Sequence, residues 1–278
     1  MLAITLALGA ALGWGVSDFL GGLKGRSVPL VLVLLISQAT ALGLLTVIVL
    51  IRGAGPPDTE SLIWAVVAGL SEVVGIAALY RGLAIGTMSI VAPAAATAPI
   101  VPLVVGLLAA QVPGPLQTAG ITLAIIGIVI TARRPGTATA PQVGPSIVYG
   151  LLAALGFGLF FTAMDTASDG DIGWALLLAR LASVAVMATV ALVRRPGPAV
   201  RRTELPTIAV IGALIVAADS MYATASTLGL LGIVAVLASL HTIVTIALAR
   251  IVLKEHLHLL QRFGVAITLT AIVAISAG

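Results

Sequence analysis

Glu72, Arg180, Asp219 and His241 each stand near the middle of a long apolar run. If those runs cross a bilayer, a charge there costs at least ~2.5–3.5 kcal/mol on insertion scales, so it must face a cavity or a partner. Glu72 has only Ser71 and Gly75 beside it within its own helical turn. It reads as a cation ligand and proton-exchange site, because a carboxyl withdrawn from water can trade its proton near neutrality. It reads equally as half of an ion pair with Arg180. Asp219 carries the same two readings, substrate or proton site against structural charge, with Ser220 and Tyr222 near enough in sequence to hydrogen-bond it. Arg180 is either a ligand for a carboxylate or phosphate or a counter-ion holding its run to those of Glu72 and Asp219. His241 titrates in the physiological range, and is either a ligand or a hydrogen-bonded packing residue.

Aromatic residues make up only 4% of the chain, so their places carry information. Trp14 lies between Gly13 and Gly15, which lets a neighbouring helix or a ligand approach. With Glu72 and Tyr222 it could form a cation–π site for an ammonium group; the alternative is packing. Phe157, Phe160 and Phe161 read as core, and Trp64 and Trp174, near run ends, as interfacial belt residues. Pro93, Pro99 and Pro102 share one run, where their missing N–H groups should kink or open a helix that lines a cavity. Enzyme chemistry has no foothold. There is no cysteine, no HExxH and no GxSxG, and His241 is the only histidine placed deep inside a run. No metal, no cofactor and no catalytic set is expected.

The elements that must carry these residues are set by composition. Of 278 residues, 60% are hydrophobic and 9% charged, and mean hydropathy is +1.22. A soluble fold cannot hide so much apolar surface. The chain reads as an all-α polytopic membrane protein, with apolar runs at 2–22, 28–51, 60–80, 87–110, 115–133, 146–166, 171–193, 205–228, 231–253 and 258–277. Each is near the ~20 residues a spanning helix needs, and none alternates with period two as barrel strands do. The net charge of +4 does not indicate a nucleic-acid partner, because the basic residues are scattered between runs. Residues 1–20 lack the basic start of a cleavable leader and read as a first span.

The polar stretch 135–145, rich in Pro, Thr, Ala and Gly, falls near the midpoint and reads as a linker between residues 1–134 and 146–278. Across it the sequence repeats itself. Gly13-Trp14-Gly15 recurs 143 positions later as Gly156-Phe157-Gly158, and the same offset carries Gly69 to Gly212, Gly86 to Gly229 and Ile100-Val101 to Ile243-Val244. With one residue of drift, Gln117 and Gly120 fall on Gln261 and Gly264. Five spans per half is an odd number, so the halves are inverted repeats, an architecture that seats a substrate near the midplane.

Orientation follows from Lys and Arg. The loops on one side hold Lys24, Arg26, Arg81, Arg133, Arg134, Arg194, Arg195, Arg201, Arg202, Arg250, Lys254 and Arg262; the other side holds Arg52 with Asp165, Asp169 and Asp171. The positive-inside bias puts the first set in the cytoplasm and both termini outside it. His256 and His258 then lie in a cytoplasmic loop, and Asp18 with Lys24 marks a gate or topology feature at the cytoplasmic end of span 1.

These features resemble the EamA-type carriers of the drug/metabolite transporter superfamily. The resemblance rests on the two five-span halves, on Gly13 to Phe19, on Gly86-Thr87-Met88-Ser89-Ile90-Val91-Ala92-Pro93 leading to Pro99, on Gly229 and Ser239 to Thr245, and on Leu253-Lys254-Glu255-His256-Leu257 with Gln261 and Gly264. It implies ten helices, alternating access, a central cavity lined by spans 1, 3, 4, 6, 8 and 9, and spans 2 and 7 as movable gates. Where the family often has Gly-Glu this chain has Gln111-Val112, and where it often has an aromatic residue and proline this chain has His241-Thr242. Residues and resemblance together lead us to expect a secondary carrier in the plasma (inner) membrane, acting as monomer or homodimer. Its solute would be a small polar, cationic or zwitterionic molecule exchanged for or driven by protons, and export is the family habit. The alternatives are an uptake carrier for sugar-like or choline-like solutes and an accessory subunit that transports nothing.

Overall fold

The computed structural model describes residues 1–25, 27–85, 91, 94–132, 140–195, 197, 200–253 and 259–277. Pro93, Arg26, Arg133, Arg134, Lys254, Glu255, His256, Leu257, His258, most of the Gly86–Pro93 motif and residues 135–139 of the linker lie outside them. The described residues form helices and no strands: α1 (Leu2–Lys24), α2 (Leu30–Arg52), α3 (Thr59–Ile85), α4 (Ile100–Leu108), α5 (Pro115–Ala132), α6 (Ala140–Ser168), α7 (Ile172–Arg194), α8 (Leu205–Leu228), α9 (Leu231–Ala238), α10 (His241–Leu253) and α11 (Leu259–Ala277). Six of them, α1, α2, α3, α6, α7 and α8, are long and apolar enough to cross a membrane. α6 begins at Ala140, inside the stretch expected to be linker.

Helices are what an apolar chain must form in lipid, because only they satisfy each backbone group within one segment. Local chemistry sets their ends. Gly53, at φ +62°, closes α2 in the left-handed conformation that glycine adopts without strain. Asp171 caps α7 by accepting the Trp174 N–H at 2.9 Å. Hydroxyls inside the runs turn back on their own helix: Thr40 to the Ile36 carbonyl, Thr46 to Leu42, Thr189 to Ala185. These hydroxyls thus cross the bundle with their donors paired to their own helix. The outer surface is apolar, with Ile51 80%, Leu108 83% and Val193 77% exposed, a face that suits lipid and would be costly in water.

The fourth and ninth runs are broken. Around residues 96–99 the chain forms a tight turn in which Ala98 N–H bonds the Ala95 carbonyl at 3.1 Å and Ile100 N–H bonds Thr97 at 2.9 Å. Pro99, lacking an N–H, then starts α4, and Pro102 is buried in its first turn, where proline is tolerated. α9 and α10 are separated at Ser239-Leu240, with the Ser239 hydroxyl bonded back to Ala235 at 2.8 Å. Ser239 lies 143 positions after Ala96, so the two breaks are related by the repeat offset.

Helix pairing follows the same exchange. α1 packs on α8 and α6 on α3; α2 packs on α8 and α7 on α3; α2 meets α7, and α5 meets α11. The glycines read from the sequence lie at these seams. Gly13 faces Ala218 while Gly156 faces Gly75, and Gly15 faces Val244 while Gly158 faces Val101. Each pair maps onto the other by the 143-residue offset with the halves exchanged. A Cβ at Gly156 would strike the Gly75 backbone, so backbone contact holds this seam, the close packing that substitutes for the hydrophobic effect between helices in lipid.

One end of the bundle is filled by buried residues including Ala10, Leu45, Ala68, Met164, Leu176 and Ala223, together with all of α9. The other end holds a cavity.

Candidate substrate cavity and its charge network

The cavity has a volume of about 490 Å³, within the ~300–1,000 Å³ of small-molecule sites. It begins at mid-depth, against Trp14 of α1, Gln38 of α2, Glu72 of α3 and Phe160 of α6, and extends to Gly22 near the end of α1 and Leu30 at the start of α2. Both helix breaks line it, through Ala96, Ala98 and Pro99 on one side and Ser239 and His241 on the other. Freed backbone is tolerated at such depth only beside a cavity or within protein. α2 contributes a long stretch of wall, from Leu30 to Gln38, and no residue of α7 lines it.

Arg180 of α7 lies behind the wall, 0% exposed. Its Nη1 donates to Glu72 Oε1 at 3.0 Å and to Gln38 Oε1; its Nη2 donates to Asp219 Oδ2. The other oxygen of Asp219 accepts the Trp14 indole N–H at 2.8 Å. The Ser183 hydroxyl bonds the Gly69 carbonyl and lies 3.5 Å from Glu72 Oε2. One guanidinium thus ties α2, α3 and α8 to α7, and through Asp219 reaches α1. Arg180 is thus ion-paired with both Glu72 and Asp219. A buried guanidinium with two carboxylates leaves the network an excess of acid, and Glu72, whose side chain keeps 13% exposure, is its member toward the cavity.

The cavity has a second charged point. His241 Nδ1 lies 2.9 Å from Asp18 Oδ2, with side chains 31% and 50% exposed. Asp18 therefore faces the cavity and pairs with a residue of α10. Among the described residues no group of three or more His, Cys, Asp or Glu side chains is placed to hold a metal ion.

The aromatic residues cluster. The Trp14 ring lies 5.9 Å from Phe161, 5.6 Å from Tyr222 and 6.0 Å edge-on from His241. Phe160 and Phe161 are buried in the core, as expected, with Phe157 packed against it, and all three also line the cavity. Tyr222 is 0% exposed and donates to the Phe161 carbonyl at 3.0 Å, so it stands behind Trp14 and does not hydrogen-bond Asp219. Ser220 bonds its own helix at Val216. Of the residues singled out from sequence, Glu72, Trp14, His241 and Pro99 line the cavity; Asp219 and Arg180 back it, and Pro102 is buried in α4. Gln38 was missed. Its amide midway along an otherwise apolar run was the available signal.

The network ignores the repeat. The positions 143 away from Arg180, Glu72 and Asp219 are Ser37, Ile215 and Ile76. All three line the cavity, and none carries charge. Gln111, at the departure from the family pattern, accepts the Leu231 N–H at 3.1 Å and joins the end of α4 to the start of α9.

At the filled end, Arg52 grips Asp171 with two hydrogen bonds, 3.0 and 2.7 Å. Burial pushes the Asp171 carboxyl up, but the Arg52 bonds and the Trp174 N–H outweigh it and hold it below the ordinary value. Asp58 is also lowered, by the Ser61 N–H and hydroxyl. Trp174 donates its indole N–H to the Ala54 carbonyl at 3.0 Å.

A model of the EamA-like transporter family matches residues 1–133 and 144–277. A solved crystal structure superposes with a TM-score of 0.76 at 18% sequence identity, covering 99% of this chain and 96% of its own, a likeness of fold. No curated protein matches the chain.

Proposed function

Because this chain belongs to the EamA-like transporter family, we propose that it is a secondary carrier for small organic cations, with ten membrane spans arranged as two inverted five-helix halves. One observation carries the choice of solute. Among the described residues the ionisable groups that line the cavity are Asp18, Glu72 and His241, whereas Arg180 is buried behind the wall. A solute entering meets carboxylates and aromatic faces, the combination that holds an ammonium or phosphonium centre. Among the described lining residues an anion would meet no guanidinium. The mainly apolar walls favour a cation with a hydrophobic body among the small polar, cationic or zwitterionic solutes expected from sequence.

The exchange-related seams and the paired helix breaks support inverted halves that rock about the cavity. The cavity extends toward the α1–α2 connection, the side the Lys and Arg distribution assigns to the cytoplasm, which favours loading from within and export across the plasma membrane. Binding energy for the solute comes from Glu72, Asp18 and the Trp14 face. Trp14 is in turn oriented by Asp219.

The test uses two probes of like shape and opposite charge, tetraphenylphosphonium and tetraphenylborate. Trp64 and Trp174 are changed to phenylalanine, so that Trp14 fluorescence reports the cavity of detergent-purified protein. The cation should quench it saturably and be carried in proteoliposomes, with Glu72→Gln weakening both. Equal or tighter binding of the borate would refute a cation site.

A further inference from the structure

If protons drive a cation carrier, some group in the cavity must bind a proton and the solute in turn. Glu72 and Asp219 are the acids at mid-depth, yet both are hydrogen-bonded to Arg180. Protonating either strands part of a guanidinium that is 0% exposed and, among the described residues, has only Gln38 as a further acceptor. Breaking such a pair by neutralising one partner carries the large penalty of an uncompensated buried charge. The network is built to stay charged.

The Asp18–His241 pair differs on each count. Both side chains are open to the cavity. Histidine exchanges protons near neutrality, and the carboxylate 2.9 Å from Nδ1 fixes the ring, so that Nδ1–H donates to Asp18 and Nε2 is left to gain or lose the exchangeable proton. The hydrogen bond survives in both states, and proton exchange need not disturb the fold. His241 also stands edge-on to Trp14, 6.0 Å between ring centres, and Trp14 is the aromatic face proposed for the solute. A cation on that face and a proton on that imidazole are like charges at close range.

We propose that Asp18–His241 is the proton-exchange site of the carrier: the imidazolium Nε2–H releases its proton to water as one monovalent cation binds, and regains it when the cation leaves. This rests on the cation reading above. No covalent bond changes apart from N–H, and the charge of the cavity is the same before and after, so the exchange is one proton for one positive charge.

Among the described residues the groups facing His241 are few. From α1 it meets Asp18; Lys24, further along α1, is turned to Glu204 at 3.9 Å. α3 presents Glu72 across the cavity, and behind it α7 and α8 present Arg180 and Asp219. α5 and α9 contain no ionisable residue.

The experiment measures tetraphenylphosphonium affinity and proton release together, in weakly buffered detergent solution from about pH 5 to pH 8. In the parent protein, affinity should rise about tenfold per pH unit on the acid side of the histidine titration, with up to one proton released per cation bound. In His241→Gln the slope should vanish and release fall to zero, while cation binding at high pH persists. Asp18→Asn keeps the imidazole but removes the carboxylate that fixes the ring, so the coupling of proton release to cation binding should weaken. Should either variant fail to fold, ring-proton NMR of the parent protein gives the same answer, since adding the cation should shift the titration of one histidine to lower pH. Cation binding with a flat pH profile or without proton release, or a pH slope unchanged in His241→Gln, overturns the exchange site but leaves the cation carrier standing. Failure to prefer phosphonium over borate overturns the carrier reading beneath it.

Discussion

Replacing Arg180 with methionine tests whether the buried network is structural. The substitution roughly keeps side-chain volume and removes one charge that serves two carboxylates. Glu72 lies 3.0 Å from Nη1. At an effective dielectric constant of about 20, a unit pair at that separation is worth about 5 kcal/mol. Desolvation of both ions offsets much of that in the intact pair. It offsets nothing once the guanidinium is gone and Asp219, 1% exposed, is left alone. Removing one partner of a buried pair costs about 3–5 kcal/mol, and at about 2–4 °C per kcal/mol this is a drop of roughly 6–20 °C in Tm. The triple variant Arg180→Met, Glu72→Gln, Asp219→Asn removes the stranded charge and should regain most of the loss. Thermal unfolding in a mild detergent, followed by tryptophan emission, gives all three Tm values under one set of conditions. A single variant within about 3 °C of the parent, about 1 kcal/mol, would refute the reasoning. So would a triple variant no more stable than the single.

Three further expectations follow from other parts of the fold. Gly156→Val should cost about 1–3 kcal/mol by overpacking and lower the yield of folded protein, because its Cβ meets Gly75 backbone; Gly21→Ala, with open space around it, should leave that yield unchanged. Asp171→Ala should lose a helix cap worth about 1 kcal/mol and a largely exposed ion pair worth less than that. Because the folded Asp171 carboxyl is held below its ordinary value, this stability is present above about pH 4 and fades as pH falls through the folded value; Tm curves of parent and variant should converge there, and a gap that widens with acid would contradict the sign. Alkaline phosphatase fused at the C-terminus should be active, as the Lys and Arg distribution requires; an expressed but inactive fusion would reverse the assigned orientation.

Much of the frame could be read from the chain because glycine and charge leave marks at fixed places. Gly13, Gly15, Gly156 and Gly158 lie where helix backbones touch, and such contacts leave room for no larger side chain. Pro99 marked the break in the fourth run, since a missing N–H is visible in sequence. The break at Ser239-Leu240 was not visible, because no proline stands there and the repeat offset was the only sign of it. Depth alone picked out Glu72, Arg180 and Asp219 but could not say which would touch. Their linkage joins residues 108 and 39 positions apart, and helix rotation decides it. Tyr222 misled for the same reason: adjacency along the chain to Asp219 says little about where a hydroxyl finds its acceptor.

The indifference of the charge network to the repeat has a thermodynamic consequence. In a carrier whose halves trade conformations, a perfectly repeated sequence would make the inward-facing and outward-facing shapes mirror each other and be equally populated. Here the scaffold is doubled but the salt network is not: Arg180, Glu72 and Asp219 have only Ser37, Ile215 and Ile76 as counterparts. If α7 and α2 swing as gates in the proposed carrier, they carry different loads: α7 holds the guanidinium of the ion cluster and α2 joins it through the Gln38 amide. A difference of 1.4 kcal/mol between the two shapes makes one about tenfold more populated at rest. In the proposed carrier, the side on which the empty protein waits would then be set by an asymmetry in charge that the repeated scaffold does not share.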